Sequence, residues 1–269
     1  MSLVYAAIMP HGDELLRIHP PLVSLSALRL ALEEIGRDIR AAAPELVVIC
    51  SPHHLRIPAH LAIADSTYVE GSLAGPLGEL RLRARIERSA NRAVAAAAAQ
   101  SGLAPALCGY ATSEESELSC LPLDWGSLVP LSFIAPDGAP PPVVLLGPPR
   151  DLGFEPLRRF GGVLGPALGD RRFALIASAD LAHAHDADGP YGYDPAAAFY
   201  DAKVQEAVAA GDLARLTALP QQVLEAAKAD APWQLAILEG VLGAHCEPRH
   251  IAYARPSYFG MLGAGYAVI

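Results

Sequence analysis

The sequence predicts an α/β domain: a central, mostly parallel or mixed sheet flanked by helices, with a metal site at the C-terminal edge of its strands. Three observations lead there. Short apolar runs end abruptly in polar residues, an amphipathic helical stretch separates the first two runs, and histidine follows each of them.

Leu3 to Met9 is an apolar run that stops at Pro10, and Leu46 to Cys50 is another that stops at Ser51 and Pro52. Both have the length of a buried strand. Between them Leu25, Leu28, Leu32, Ile35 and Ile39 recur in steps of three and four, which aligns them on one face of a helix ending by Pro44. A β-α-β unit makes its two strands parallel and sets their C-terminal ends on one edge of the sheet, where open α/β sheets bind ligands. His11 and the pair His53-His54 are therefore expected in one crevice.

Farther along, His60 to Ala64 reads as another strand, and Leu80 to Gln100 as one long helix rich in Ala and Arg, closed by Gly102 as a left-handed cap. A Pro-rich loop over 136–142 precedes an expected strand at Val143 to Leu146. A helix is expected over Glu155 to Leu168, and a strand over Phe173 to Ser178 whose polar exit carries Asp180 and His183. Asp194-Pro195 combines an N-cap carboxylate with proline in the first turn, a good helix start. The last third reads as mostly helical until two strand-like segments, Arg249 to Arg255 and Tyr266 to Ile269. No repeat or clear break divides the chain, so residues 1–269 are read as a single domain.

Composition narrows the function classes. With 52% hydrophobic and 18% charged residues the chain is that of a folded globular protein, and no apolar run reaches the roughly 18 to 20 residues of a membrane span. The opening segment has no basic residue before its apolar run, so it is read as a first strand and the cytoplasm as the compartment. A net charge of −9 without a basic patch argues against nucleic acid as a partner. Cys50, Cys108, Cys120 and Cys246 are far apart with no Cys-x-x-Cys pair, which fits isolated packed thiols. The phosphate-binding Gly-x-x-x-x-Gly-Lys, the Gly-x-Ser-x-Gly elbow and the His-Glu-x-x-His helix are all missing.

Of nine histidines, His11, His53, His54 and His183 fall just after expected strands. Two imidazoles and a carboxylate that leave positions open suit non-haem Fe(II), because neutral nitrogens hold the ion while free positions admit substrate and oxygen. Zinc accepts the same donors.

Four strings occur in sequence order: Met-Pro-His-Gly at 9–12, Ser-Pro-His-His at 51–54, Leu-Asp-Trp-Gly-Ser-Leu-Val-Pro-Leu at 123–131 and Ala-Ser-Ala-Asp-Leu-Ala-His at 177–183. In this the chain resembles the class III extradiol ring-cleavage dioxygenases, in particular the LigB-like catalytic subunit, a superfamily that includes the Memo-like proteins. The resemblance runs from His11 to the C-terminal Tyr-Ala-Arg-Pro and Gly-Ala-Gly-Tyr-Ala-Val segments. It implies cleavage of a catechol- or aminophenol-like ring with O2 at Fe(II), with Zn(II) or Mn(II) as alternative metals. It also implies a homodimer or a small partner subunit. The competing reading is metal binding without ring cleavage, as in Memo-like relatives, or another metal-dependent reaction on the same scaffold.

Carried over by motif, His11 and His53 are implied as metal ligands, with His54 as the alternative to His53. His183 is implied to lie over the metal and act in proton transfer and substrate binding, with Asp180 supporting its loop. The third ligand is normally a glutamate on a late helix. Asp230 is nearest to that position, and Glu239 and Glu225 follow. At Trp125 the family usually carries a histidine, and an indole cannot serve as acid or base near neutral pH. Trp125 is then either an aromatic wall for a substrate or a core filler. His185 is a candidate replacement base, but its polar run predicts exposure, and the cluster Glu114, Glu115 and Glu117 reads as a solvated face.

Overall fold

Four mutually parallel strands form the middle of the protein in a computed structural model that describes residues 3–243 and 247–267. In chain order the strands are β1 (Leu3–Met9), β2 (Leu46–Cys50), β3 (His60–Ala64), β4 (Tyr68–Gly75), β5 (Gly78–Arg85), β6 (Ala104–Cys108), β7 (Cys120–Pro122), β8 (Val143–Gly147), β9 (Phe173–Ser178), β10 (Pro248–Ala254) and β11 (Met261–Ala267). The helices are α1 (Ser26–Ala41), α2 (Arg88–Gln100), α3 (Trp125–Ile134), α4 (Phe154–Leu168), α5 (Pro195–Ala209), α6 (Ala214–Thr217), α7 (Gln221–Ala227) and α8 (Pro232–Leu242).

The larger sheet has the order β10-β11-β1-β9-β2-β8-β3-β6. Strands β1, β9, β2 and β8 are parallel, while β11 meets β1 and β3 meets β8 in the antiparallel sense. β1 and β2 are thus parallel, as the sequence predicts, with β9 inserted between them. The sheet is mixed, and helices cover it on both faces.

Alternation along the strands explains why both faces need covering. Ala6 and Ile8 of β1 with Leu46, Val48 and Cys50 of β2 join the side chains of α2, α4, α5 and α8 in one core. Tyr5, Ala7, Met9, Val47 and Ile49 point the other way, into a core built with α1, α3 and the small sheet. A strand buried on both faces is apolar at every position, which is why the runs at 3–9 and 46–50 are uninterrupted. Helix α1 contributes Leu28, Leu32, Ile35 and Ile39, all fully buried.

The expected helix over 80–100 is only half a helix. Leu80, Leu82, Ala84 and Ile86 alternate with Arg81, Arg83 and Arg85, a period of two that belongs to a strand, and β5 pairs with β4 in a second sheet completed by β7. The exposed arginines pair with Glu70, Glu117 and Glu115, so two of the three clustered glutamates lie on a solvated, ion-paired face. The alanine-rich helix begins only at Arg88. Helix α3 is an addition to the sequence reading, started by Asp124, whose side chain accepts a hydrogen bond from the Ser127 backbone N–H. Asp194 caps α5 as expected. Cys50, Cys108 and Cys120 are free thiols; Cys246 and the last two residues of the expected strand 266–269 lie outside the described residues. Among the described residues no helix is long and apolar enough to cross a membrane.

Candidate metal centre

Because β1, β2, β8 and β9 are parallel, the segments that leave their C-terminal ends meet at one edge of the sheet. His11 arrives two residues after β1, His53 three residues after β2, and Asp180 two residues after β9. Asp230 comes from the turn between α7 and α8, where its backbone N–H donates to the carbonyl of Leu181, 3.1 Å away in the segment after β9.

Ligand atoms of His11, His53 and Asp230 all lie within 4.8 Å of one another. The Nε2 atoms of His11 and His53 are 3.0 Å apart, and Asp230 Oδ2 is 3.7 Å from His11 Nε2. The neighbours of His11 determine which of its nitrogens is free. Ser178 Oγ donates its one proton to the carbonyl of Gly126, so at 3.0 Å it accepts from His11 Nδ1–H. That assigns the proton to Nδ1 and leaves Nε2 as a lone-pair donor facing His53 and Asp230.

Burial pushes the pKa of His11 down to about 3, although Asp230 pulls it upward. Burial likewise lowers His53, again opposed by Asp230. Both rings are therefore neutral at physiological pH, the form that binds a cation. Asp230 Oδ2 is buried and without a hydrogen-bond partner among the described residues, while Oδ1 is paired with the guanidinium of Arg150. An unpartnered buried carboxylate oxygen beside two neutral imidazoles is costly unless a cation satisfies it. The residues fit a divalent metal with two nitrogens and one carboxylate.

The remaining candidates occupy distinct places. His54 turns away from this group: its Nδ1 lies 3.4 Å from Asp124 Oδ2. Asp124 also accepts from Ser51 Oγ at 2.5 Å and from Ser127. Burial raises its pKa, but the hydrogen bonds from His54, Ser51 and Ser127 outweigh that and leave it low. Asp180 Oδ1 accepts from the backbone N–H of His11 at 3.0 Å, and Oδ2 lies 3.3 Å from His11 Nε2. Its burial pushes its pKa well above the usual carboxylate range. His183 stacks on Phe259 at 5.4 Å between ring centroids, and its Nδ1 is 3.2 Å from the carbonyl of Leu181. Burial lowers its pKa, opposed by the charge of Asp230. Glu225 is exposed and accepts from Gln221, and Glu239 feels Arg158 and Glu155 of α4; neither belongs to the group.

Trp125 stacks on His53 with ring centroids 4.1 Å apart. At 47% exposure it does not fill the core. Its neighbour Gly126 is required by space: a Cβ there would lie 2.5 Å from Ser51 Oγ and 3.3 Å from His53 Cδ2.

His185 departs from its expected exposure. It is buried, with Nε2 2.8 Å from Asp201 Oδ2. Asp201 also accepts from Tyr253 Oη at 2.7 Å and from the Ala182 backbone N–H at 2.9 Å. The polar run that contains His185 is tied down by a carboxylate on the buried face of α5.

Two residues at the centre escaped sequence reasoning. Arg150 leaves β8 at the same edge as the histidines, so the rule that singled those out also applies to it. Asp124 was marked by Ser127 three residues later, an N-cap pattern.

Residues 6–268 match the family model for the catalytic LigB subunit of aromatic ring-opening dioxygenase. The chain belongs to that family. It is 24% identical over 264 residues to protein CA_C1420 of Clostridium acetobutylicum, covering 93% of this chain and 55% of that protein; it spans about half the length of that curated relative. In fold it is similar to the crystal structure of an uncharacterized protein, JW3007, from Escherichia coli K12. The TM-score is 0.64 at 15% identity, and the match covers 97% of this chain and 99% of that one.

Proposed function

We propose that this chain is a non-haem, Fe(II)-dependent extradiol-type dioxygenase that opens a catechol- or aminophenol-like ring with O2. The observation that carries the reading is the convergence of His11, His53 and Asp230 in a member of a ring-opening dioxygenase family. When bound, iron would supply Lewis acidity and a redox couple that joins an aromatic substrate to dioxygen.

The chain's own residues do the rest. Asp180 and Ser178 hold His11 by its backbone N–H and its Nδ1. Arg150 holds Asp230 by Oδ1 and leaves Oδ2 for the cation. His183, kept neutral by burial, accepts a proton from the substrate hydroxyl and returns it later. Trp125 offers an exposed indole face at the side of His53, a surface on which an aromatic ring stacks.

A second reading has one observation in its favour. By the resemblance to the dioxygenases, Trp125 stands where that family usually carries a histidine, so the site would have one proton-transfer group fewer, and the chain would then bind a metal without cleaving a ring. Anaerobic loading with iron followed by oxygen uptake with a panel of catechols and aminophenols separates the two. Uptake that disappears in His183→Gln with iron retained supports the dioxygenase. Iron bound without uptake, together with uptake gained in Trp125→His, supports the second reading, and failure to bind iron or zinc sinks both.

A further inference from the structure

A cavity of about 530 Å³ lies between α1, the start of β5, the end of α3 and the turn at residues 15–18. Its charged lining is Arg17, Arg29, Arg37 and Arg40 with Glu33 and Glu79. Arg29, Glu33, Arg37 and Arg40 are spaced by four, four and three along α1, which places them on one face of the helix. None of these residues belongs to the histidine cluster.

The charges do not cancel. Glu33 pairs with Arg17 at 2.9 Å, and Arg37 pairs with Glu34 at 2.5 Å. Among the described residues Arg40 donates only to neutral acceptors, the carbonyls of Phe133 and Ile134 at 2.8 and 3.1 Å. Arg29 Nε donates to the carbonyl of Leu15 at 2.8 Å, and its Nη2 is buried with no hydrogen-bond partner among the described residues. Two guanidinium groups thus face one cavity with no carboxylate at ion-pair distance among the described residues. Gly36 makes this arrangement reachable: a Cβ there would lie 2.2 Å from the carbonyl oxygen of Phe133, so only glycine lets α1 approach the end of α3 and bring Arg40 to its carbonyls.

Apart from Ser132, the rest of the lining is apolar. Leu15, Leu16 and Ile18 are buried beneath it, and Leu80 and Phe133 form its sides. A compact, fully hydrated anion would gain nothing from these walls, whereas a carboxylate on an apolar body would use both halves. The volume falls within the range of small-ligand pockets, roughly 300 to 1,000 Å³.

We propose that this cavity binds a small amphiphilic carboxylate, an aryl- or alkyl-substituted organic acid, at a site separate from the metal centre. Arg29 is its principal anchor, and Arg40 contributes the second positive charge. A planar guanidinium matches a carboxylate in geometry as well as charge. The inference does not depend on the reaction at the histidine cluster.

Calorimetric titration of the full chain with phenylpropionate tests it. Phenylpropanamide serves as the uncharged counterpart and inorganic phosphate as the compact anion. Saturable one-to-one binding of phenylpropionate is expected, weaker by about 10-fold or more in Arg29→Gln, since a hydrogen bond to a charged group contributes on that scale. His11→Ala is expected to bind as the unaltered chain does. If Arg29→Gln fails to fold, Arg37→Glu, at the exposed rim, decides alone by weakening binding several-fold. Absence of saturable binding, equal affinity for the amide or phosphate, loss of binding in His11→Ala, or unchanged affinity in the arginine variants would each overturn the proposal.

Discussion

Two buried clusters in this protein are built from the same residue types and have opposite hydrogen-bond balance. Around Asp201, a carboxylate collects His185, Tyr253 and the Ala182 backbone N–H, so its oxygens are supplied with donors. At the sheet edge, His11 and His53 face each other through Nε2, and Asp230 keeps an oxygen with no partner among the described residues. Burial and composition do not tell the two apart. The incomplete satisfaction does, because a finished network stabilises a loop while an unfinished one calls for a cation.

The largest expected effect tests that contrast directly. His11→Ala and His53→Ala should each weaken metal affinity by at least about 100-fold, since loss of even a supporting group around a metal costs 10- to 100-fold. His185→Ala should leave it unchanged. Metal competition against a chelator measures all three, and a loss in His185→Ala would erase the distinction between the clusters.

Next in size is the structural cost of the finished network. Asp201→Ala breaks a buried pair and should destabilise the metal-free chain by about 3 kcal/mol in urea unfolding. A smaller loss than that of a typical surface change would mean the pair is not what holds residues 182–194.

A pH test sharpens the role of Asp124. Its folded pKa lies below the ordinary value, so it contributes stability above the unfolded carboxylate pKa. That contribution is lost as pH falls through the folded value. Urea unfolding between pH 6 and pH 3 should therefore show a steeper acid loss in the unaltered chain than in Asp124→Asn, which keeps the helix cap. Parallel curves would refute it. The smallest effect belongs to His54→Gln, about 1 kcal/mol for one hydrogen bond, with bound metal unchanged; loss of metal would move the ligand from His53 to His54.

Much of the fold was legible because the strands at 3–9, 46–50 and 173–178 are buried on both faces and leave uninterrupted apolar runs. Strand β5 was not, since alanines and arginines favour a helix locally, and only the alternation of Leu80, Leu82 and Ala84 marks the strand. The choice between His53 and His54 was beyond local sequence for a different reason. Adjacent side chains in a turn point apart, and which one faces His11 is decided by Asp124, some seventy residues away, which engages the other. Asp230 was reachable only through family likeness, as nothing in the turn before Pro232 signals that Leu181 and Arg150 hold it. His185 had a readable cue: Asp201 falls within the otherwise apolar buried stripe of α5 formed by Ala197, Tyr200, Val204 and Val208, and an acid there needs a donor.

The chain has two tryptophans, one beside a proposed ligand and one beside the arginine that holds another. Trp125 lies against His53, and Trp233 lies 5.4 Å from the guanidinium of Arg150, which is bound to Asp230. Indole emission consequently reports on the centre from both sides, one fluorophore in contact with solvent and the other mostly shielded. With Trp125→Phe to separate them, light alone distinguishes a change at the imidazole from a change at the carboxylate, without any added dye.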